Sequence, residues 1–285
     1  LFEKINCETT MFQKTAGVKL IKTIENNAVG IKTIVLGKKV DFMKIIFIRH
    51  GEPDYSIDSL TEKGWREAEM VGERLKKVPC DAVFCSPLGR AKDTMKPYLE
   101  KTGKDFKICD WLEEFAYEET KFIHPETGEE KFIWDFTPDF LDRHQDFFDR
   151  EKWAKQDFIE KSTVFETVTK VFKGFDDCLK EFGYERCGTY YKVNEENHKT
   201  IMFFCHFGIE ALLLSHLFNC SPQVISHNFI ALPSSVTTLI TEEREKGKAY
   251  FRCQQFGDIS HLYKNDEPVS FAGRFCECFS DPERH

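Results

Sequence analysis

Three short stretches place chemically capable side chains where an ordered sheet would present them. Arg49, His50 and Gly51 follow the uninterrupted apolar run Ile45 to Ile48. Such a run, broken by glycine and proline, reads as a strand buried on both faces. A cation and an imidazole then stand at its carboxyl end, the edge at which open α/β sheets bind ligands. A lone histidine there suits a structural role as well as a nucleophilic one. His206 follows the apolar stretch Thr200 to Cys205 in the same way, just before a helix from Ile209, and helix N-termini gather anions. Arg90 comes soon after Ser86-Pro87, a pair that reads as N-cap and first helical residue. A cation in a first turn opposes the helix dipole, a conflict that a bound anion would remove. Long helical side chains lean toward the N-terminus, so Arg90 reaches back toward the strand ends and His50.

The elements that carry these residues alternate between strand and helix. After the core strand, a helix from about Thr61 has Trp65, Ala68, Val71, Gly72 and Leu75 on one face. Glu62, Lys63, Arg66, Glu67, Glu73 and Lys76 cover the other, as expected of a surface helix packed on a sheet. Asp81 to Cys85 reads as a second strand and Phe106 to Cys109 as a short third one. Val164 to Phe182 reads as a long amphipathic helix, residues 185 to 199 as a polar loop, and Val236 to Ile240 and Tyr250 to Gln255 as two late strands.

Four segments in this order resemble the histidine phosphatase superfamily, which includes the phosphoglycerate mutases. They are Arg49-His50-Gly51-Glu52, Leu60-Thr61-Glu62-Lys63-Gly64, Ser86-Pro87-Leu88-Gly89-Arg90-Ala91 with Thr94, and Cys205-His206-Phe207-Gly208. Gly257 to Leu262 is similar to the closing segment of several members, so the resemblance spans roughly residues 43 to 262. It implies an α/β fold, a three-layer α/β/α sandwich with a mostly parallel central sheet. It also implies a phosphatase that hydrolyses a phosphomonoester through a phosphohistidine on His50. Arg49, Arg90 and His206 would hold the phosphoryl oxygens. The family carries its proton donor as a Glu two residues after a Leu, which selects Glu114 after Leu112; Glu113 is the neighbouring alternative. Mutase-like members have an Asn six residues after the nucleophile. Ser56 stands there, as a candidate phosphate contact, and the following loop is short; both favour hydrolysis over phosphoglycerate isomerisation. A mutase-type phosphotransferase and a non-catalytic binding relative are the alternatives.

The 285 residues, 41 % of them apolar and 28 of them Phe, allow one large α/β unit with a substantial core. A net charge of −8 argues against nucleic acid or an anionic membrane as partner, and a small phosphomonoester would need local cations. Eleven scattered cysteines, an odd number, suggest reduced thiols in the cytoplasm. No stretch is long and apolar enough to span a membrane, no secretory leader is expected, and no metal or cofactor is expected because no His, Asp and Cys cluster has ligand spacing. Cys276 and Cys278 read as incidental.

Two segments stand apart. Residues 1–42 read as an N-terminal extension, either poorly ordered or a hairpin of Ile21 to Ile24 with Ile31 to Ile34, preceding a catalytic domain over residues 43–285. Residues 117–165 read as a mainly helical insertion, acidic and aromatic-rich, with a helix over Asp139 to Lys155. It is expected either to bury its own aromatics or to cap the site with some of Trp134, Phe136, Phe140, Phe147 and Trp153.

Overall fold

A computed structural model describes residues 18–25, 28–35, 42–116, 118–194, 197–272 and 280. Contacts divide the chain into residues 1–41 and 42–285. In the first unit β1 (Val18–Glu25) pairs antiparallel with β2 (Ala28–Val35), Ile21 opposite Lys32 and Ile24 opposite Val29. The expected turn residues Asn26 and Asn27 lie outside the described residues, as do residues 1–17, Tyr117, Cys276 and Cys278.

The second unit is built on β3 (Lys44–Arg49), whose alternate residues enter different cores. Ile45 and Phe47 join the cluster on one face of the sheet; Ile46 and Ile48 join the other. That is why the run has no polar member: a strand covered on both faces gains nothing from alternation, and each buried Ile or Phe adds on the order of 1.5–3 kcal/mol. After β4 (Pro53–Asp54) and β5 (Ser59–Leu60) come α1 (Glu62–Leu75), β6 (Ala82–Cys85), α2 (Gly89–Thr102) and β7 (Lys107–Ile108). The chain continues through β8 (Phe122–Ile123), β9 (Glu130–Lys131), α3 (Pro138–Arg143), α4 (Asp157–Glu160) and α5 (Val164–Glu181). It closes with β10 (Tyr184–Cys187), β11 (Tyr190–Val193), β12 (Thr200–Cys205), α6 (Phe207–Phe218), α7 (Pro222–Asn228), β13 (Val236–Glu245), β14 (Lys248–Asp258) and α8 (Ser260–Lys264).

Eight strands form one sheet in the order β10-β11-β14-β13-β3-β12-β6-β7. Its centre, β3, β12, β6 and β7, is parallel, and β13 adds antiparallel to β3. On one face lie α5 and α6, with Phe47, Phe84, Phe203 and Phe175 packed ring to ring; Phe47 and Phe203 are 5.4 Å apart and Phe84 and Phe203 5.0 Å. On the other, Val71 and Leu75 of α1 and Ala91, Met95 and Tyr98 of α2 cover Ile46, Ile48, Met202 and Phe204. Helices on both faces complete the α/β/α sandwich. Among the described residues no helix is long and apolar enough to cross a membrane.

Several expectations change. The segment expected as a loop over 185 to 199 is largely the hairpin β10–β11. Tyr184 and Tyr191 are buried although Glu185, Arg186 and Lys192 flank them, because edge strands hide one face only. The helix expected over Asp139 to Lys155 is broken into α3 and two 3₁₀ turns, Gln145–Phe148 and Trp153–Lys155. Trp65 is exposed beneath Lys96, while Glu67, expected on the solvent face of α1, is buried and accepts from Glu52 N at 2.8 Å.

Candidate active site

The parallel register delivers the site. Arg49 pairs with Cys205 across β3 and β12, and Phe204 with Cys85 across β12 and β6. The residues one step beyond, His50, His206 and Ser86, therefore emerge side by side at the carboxyl edge. The ladder continues through them, with His50 N donating to Cys205 O at 3.0 Å and Ser86 N to Phe204 O at 2.9 Å.

His50 is buried, and its Nδ1 lies 2.7 Å from Gly51 O. A carbonyl only accepts, so Nδ1 carries the proton and Nε2 keeps its lone pair. No described residue hydrogen-bonds Nε2. Burial, then the charges of Arg49 and Arg90, hold the imidazole well below its usual pKa and thus neutral. Gly51 N donates to Thr94 Oγ1 at 2.9 Å, and that hydroxyl donates to Arg90 O at 2.8 Å, tying the His50 turn to the first turn of α2. From behind, Ser234 N donates to His50 O at 2.9 Å, and Ser234 Oγ lies 3.1 Å from His261 Nε2. The closing segment thus supports the backbone at His50.

The other imidazole, His206, is fully buried with its ring centroid 5.1 Å from that of His50. Its Nε2 is 2.8 Å from Ser86 Oγ, and its buried Nδ1 has no partner among the described residues. Burial, with His50, Arg90 and Arg49 nearby, keeps it neutral as well. This corrects the expected role of Ser86. The N-cap of α2 is Leu88; Ser86 Oγ accepts from Leu88 N at 3.2 Å and is shared with the histidine.

Arg49 is buried with its guanidinium over the Phe207 ring, and Nη1 donates to Ala231 O. Arg90 sits in the first turn of α2 as expected, but a carboxylate already occupies the anion position there. Asp58 accepts from Arg90 Nη1 at 2.6 Å and from Gly89 N at 2.6 Å.

Glu114 follows the 3₁₀ turn Asp110–Leu112, whose Leu112 is buried. Its Oε1 accepts from Phe115 N at 2.8 Å and Ile209 N at 3.1 Å, and Oε2 lies 3.4 Å from Gly208 N, at the N-terminus of α6. A Cβ on Gly208 would stand 2.6 Å from Glu114 Oε1 and 3.4 Å from the Trp134 ring, so only glycine lets the carboxyl and the indole come so close. Burial raises the Glu114 pKa, against the backbone N–H groups and the charges of Arg49 and Arg90, which favour the anion. Glu113 makes no described side-chain hydrogen bond.

The structure thus gathers Arg49, His50, Arg90, Glu114 and His206. It does not bring Ser56 to them: Ser56 is exposed, and its Oγ donates to Asp54 Oδ1 at 2.5 Å. Sequence reasoning missed Asp58 and Glu210. Glu210, in the first turn of α6, is buried near Arg49 with its pKa pushed up to about 7 by burial. A lone carboxylate inside a mostly apolar helix was the available signal. Among the described residues no group of three or more His, Cys, Asp or Glu could hold a metal ion.

The sequence profile of the histidine phosphatase superfamily (branch 1) matches residues 45–252. A Schizosaccharomyces pombe protein named as a probable phosphatase is 23 % identical over 235 residues, covering 77 % of this chain and 95 % of that one. The 2,3-bisphosphoglycerate-dependent phosphoglycerate mutase of Thermoplasma acidophilum is 38 % identical over 74 residues, 22 % of this chain and 37 % of that enzyme. Among solved structures, a phosphoserine phosphatase variant from Entamoeba histolytica in complex with phosphoserine superposes with a TM-score of 0.50. Its identity is 20 %, over 77 % of this chain and 99 % of that one, a likeness of fold.

Proposed function

The chain belongs to the histidine phosphatase superfamily, branch 1, and from that footing we propose that it hydrolyses a phosphomonoester through a phosphohistidine on His50. The observation that carries the reading is the His50 ring, with Nδ1 committed to Gly51 O and a neutral Nε2 at the strand edge beside Arg49, Arg90 and His206. The Nε2 lone pair forms the P–N bond while the P–O ester bond breaks in line with it. Arg49, Arg90 and an N–H of His206 hold the equatorial oxygens through charge-assisted hydrogen bonds as charge shifts. Glu114 is the acid. Oε1 takes the two shorter backbone N–H bonds and Oε2 only the long one from Gly208 N, so Oε2 carries the proton, which passes to the leaving alkoxide. The resulting carboxylate takes a proton from water as that oxygen attacks phosphorus. The P–N bond breaks, orthophosphate forms, and His50 and Glu114 return to their starting states.

Cationic side chains do the charge work, so the reaction is proposed to need no metal. Residues 43–285 are the catalytic domain in this reading. The insertion 117–165 caps it through Trp134, and the scattered cysteines suit the cytoplasm. The 74-residue stretch that is 38 % identical to the mutase favours phosphoglycerate isomerisation as the second reading, against which the exposed Ser56 weighs. A panel of phosphomonoesters tested with purified protein, with and without exhaustive chelation, separates these. Hydrolysis that survives chelation is expected. Isomerisation of phosphoglycerate without phosphate release would establish the second reading, and an inert protein across the panel would contradict both.

A further inference from the structure

Arg90 is the cation whose position the fold controls most visibly, and the control comes from a residue outside the family motifs. Asp58 lies in the connection between β4 and β5 and bridges two donors of α2, Gly89 N and Arg90 Nη1, each at 2.6 Å. It supplies the cap that Leu88 lacks. Asp58 is also locked there. Its backbone is left-handed, at φ 47°, and its carbonyl oxygen fills the space of the missing Gly89 side chain, where a Cβ would be 2.1 Å away. Next to it, Ser59 Oγ donates to Asp93 Oδ2 at 2.5 Å, fastening the connection to α2 a second time. With Nη1 held, the Nε–Nη2 edge of Arg90 donates to none of the described residues, and Nε is buried without a partner. That edge is the planar fork that matches two oxygens of a phosphate. The Tyr55 ring lies 5.4 Å from the guanidinium carbon.

We propose that Asp58 is a positioning residue: by gripping Nη1 from a strained, clamped connection, it presents the Nε–Nη2 fork of Arg90 to the phosphoryl group. The proposal deepens the phosphatase reading and rests on it. A carboxylate that swung away would instead compete for the phosphate site; the left-handed backbone and the Gly89 contact fix where the Asp58 side chain starts, and its two hydrogen bonds to α2 oppose the swing.

The test compares Asp58→Asn and Asp58→Ala with wild type, each also combined with Arg90→Ala. It measures 4-nitrophenyl phosphate kinetics, orthophosphate affinity by calorimetry and melting temperature. Asn keeps an oxygen for Gly89 N but turns an amide donor toward Arg90, so it spares the cap and breaks the grip. Loss of one charge-assisted contact is expected to lower kcat/KM and weaken phosphate binding roughly tenfold. In the Arg90→Ala background the same substitution should change either by less than about twofold, since the effect runs through Arg90. A lower melting temperature with unchanged kinetics and affinity would reduce Asp58 to a cap and overturn the proposal. So would an equal loss in the Arg90→Ala background, or tighter phosphate binding by Asp58→Asn. A wild-type protein that binds orthophosphate but hydrolyses no ester would contradict the phosphatase reading while leaving Asp58 to be judged on phosphate affinity alone. Failure to bind orthophosphate would contradict both.

Discussion

The strand edge and the insertion over residues 117–165 are both dense in functional candidates, yet they are held by different forces. At the edge, His50, His206 and Ser86 each stand one residue beyond a strand whose parallel ladder fixes the backbone, with main-chain hydrogen bonds near 3 Å running into the site itself. In the insertion, short helical turns are held by rings. Phe122 and Phe136 are 5.0 Å apart, Phe136 and Phe140 4.7 Å, and Phe147 and Phe158 5.5 Å. Of the five aromatics expected to line a cap, Phe136, Phe140, Phe147 and Trp153 are buried in the core cluster. Trp134 is the one whose ring lies by Gly208 and Glu114. Backbone register therefore positions the candidate reacting groups, and side-chain packing positions the proposed wall beside them. Substitutions in the two regions should fail in different ways.

The largest difference is expected at His50. His50→Ala should abolish turnover and leave the melting temperature within a few degrees of wild type, because the ladder around it is main chain. Unfolding of this variant would erase the distinction between the regions. Glu114→Gln should slow hydrolysis of esters with poor leaving groups by roughly 10²-fold or more, the usual size of general acid catalysis. An activated aryl ester should suffer less in its first step. If Glu113→Gln gives that pattern instead, the acid is one residue earlier.

The insertion should show the converse. Phe136→Ala or Phe140→Ala should cost about 3–5 kcal/mol of stability, read by denaturant melts, and leave the KM ratio of a bulky and a small ester unchanged. Trp134→Ala, at a partly buried position, should cost less stability than these and raise KM for bulky esters, one lost contact being about 1–3 kcal/mol. A flat ratio at Trp134 would remove the wall from the account and leave a self-contained subdomain.

A smaller and sharper test lies in pH. His50 is held well below its usual pKa, so the acid limb of kcat/KM should fall below pH 6.5. Glu114 is raised, so its acid form persists above the ordinary carboxyl range and is lost as pH rises through that raised pKa. The decline on the alkaline side should disappear in Glu114→Gln and be unchanged in Trp134→Ala.

What could be read in advance follows the same division. The strand-end positions of His50 and His206 were legible because an apolar run followed by a polar residue is a local pattern, although the roles of the two histidines were not. The choice of Glu114 came with the family resemblance, because nothing local separates it from Glu113; only the fold brings its carboxyl to the α6 N-terminus. Ser86 was misread because a Ser-Pro pair opens many helices, and nothing local reveals that the hydroxyl faces His206. Asp58 was invisible because its partner, Arg90, is distant in sequence and joined only by the fold. Glu67 and the buried tyrosines of β10 and β11 were hidden by polar neighbours. The helix expected over Asp139 to Lys155 failed because aromatic packing broke it into turns, a tertiary decision that periodicity does not carry.

The central claim is that Nε2 of His50 carries the phosphoryl group between two steps. Glu114→Gln should slow the attack of water more than the attack of His50 on an activated ester. That variant, mixed with a radiolabelled aryl phosphate and quenched within milliseconds in alkali, should hold label approaching one phosphate per chain. The label should be stable to base, labile to acid, and located in the peptide containing His50. Turnover at the normal burst rate with no acid-labile label, or label on another residue, would contradict the account.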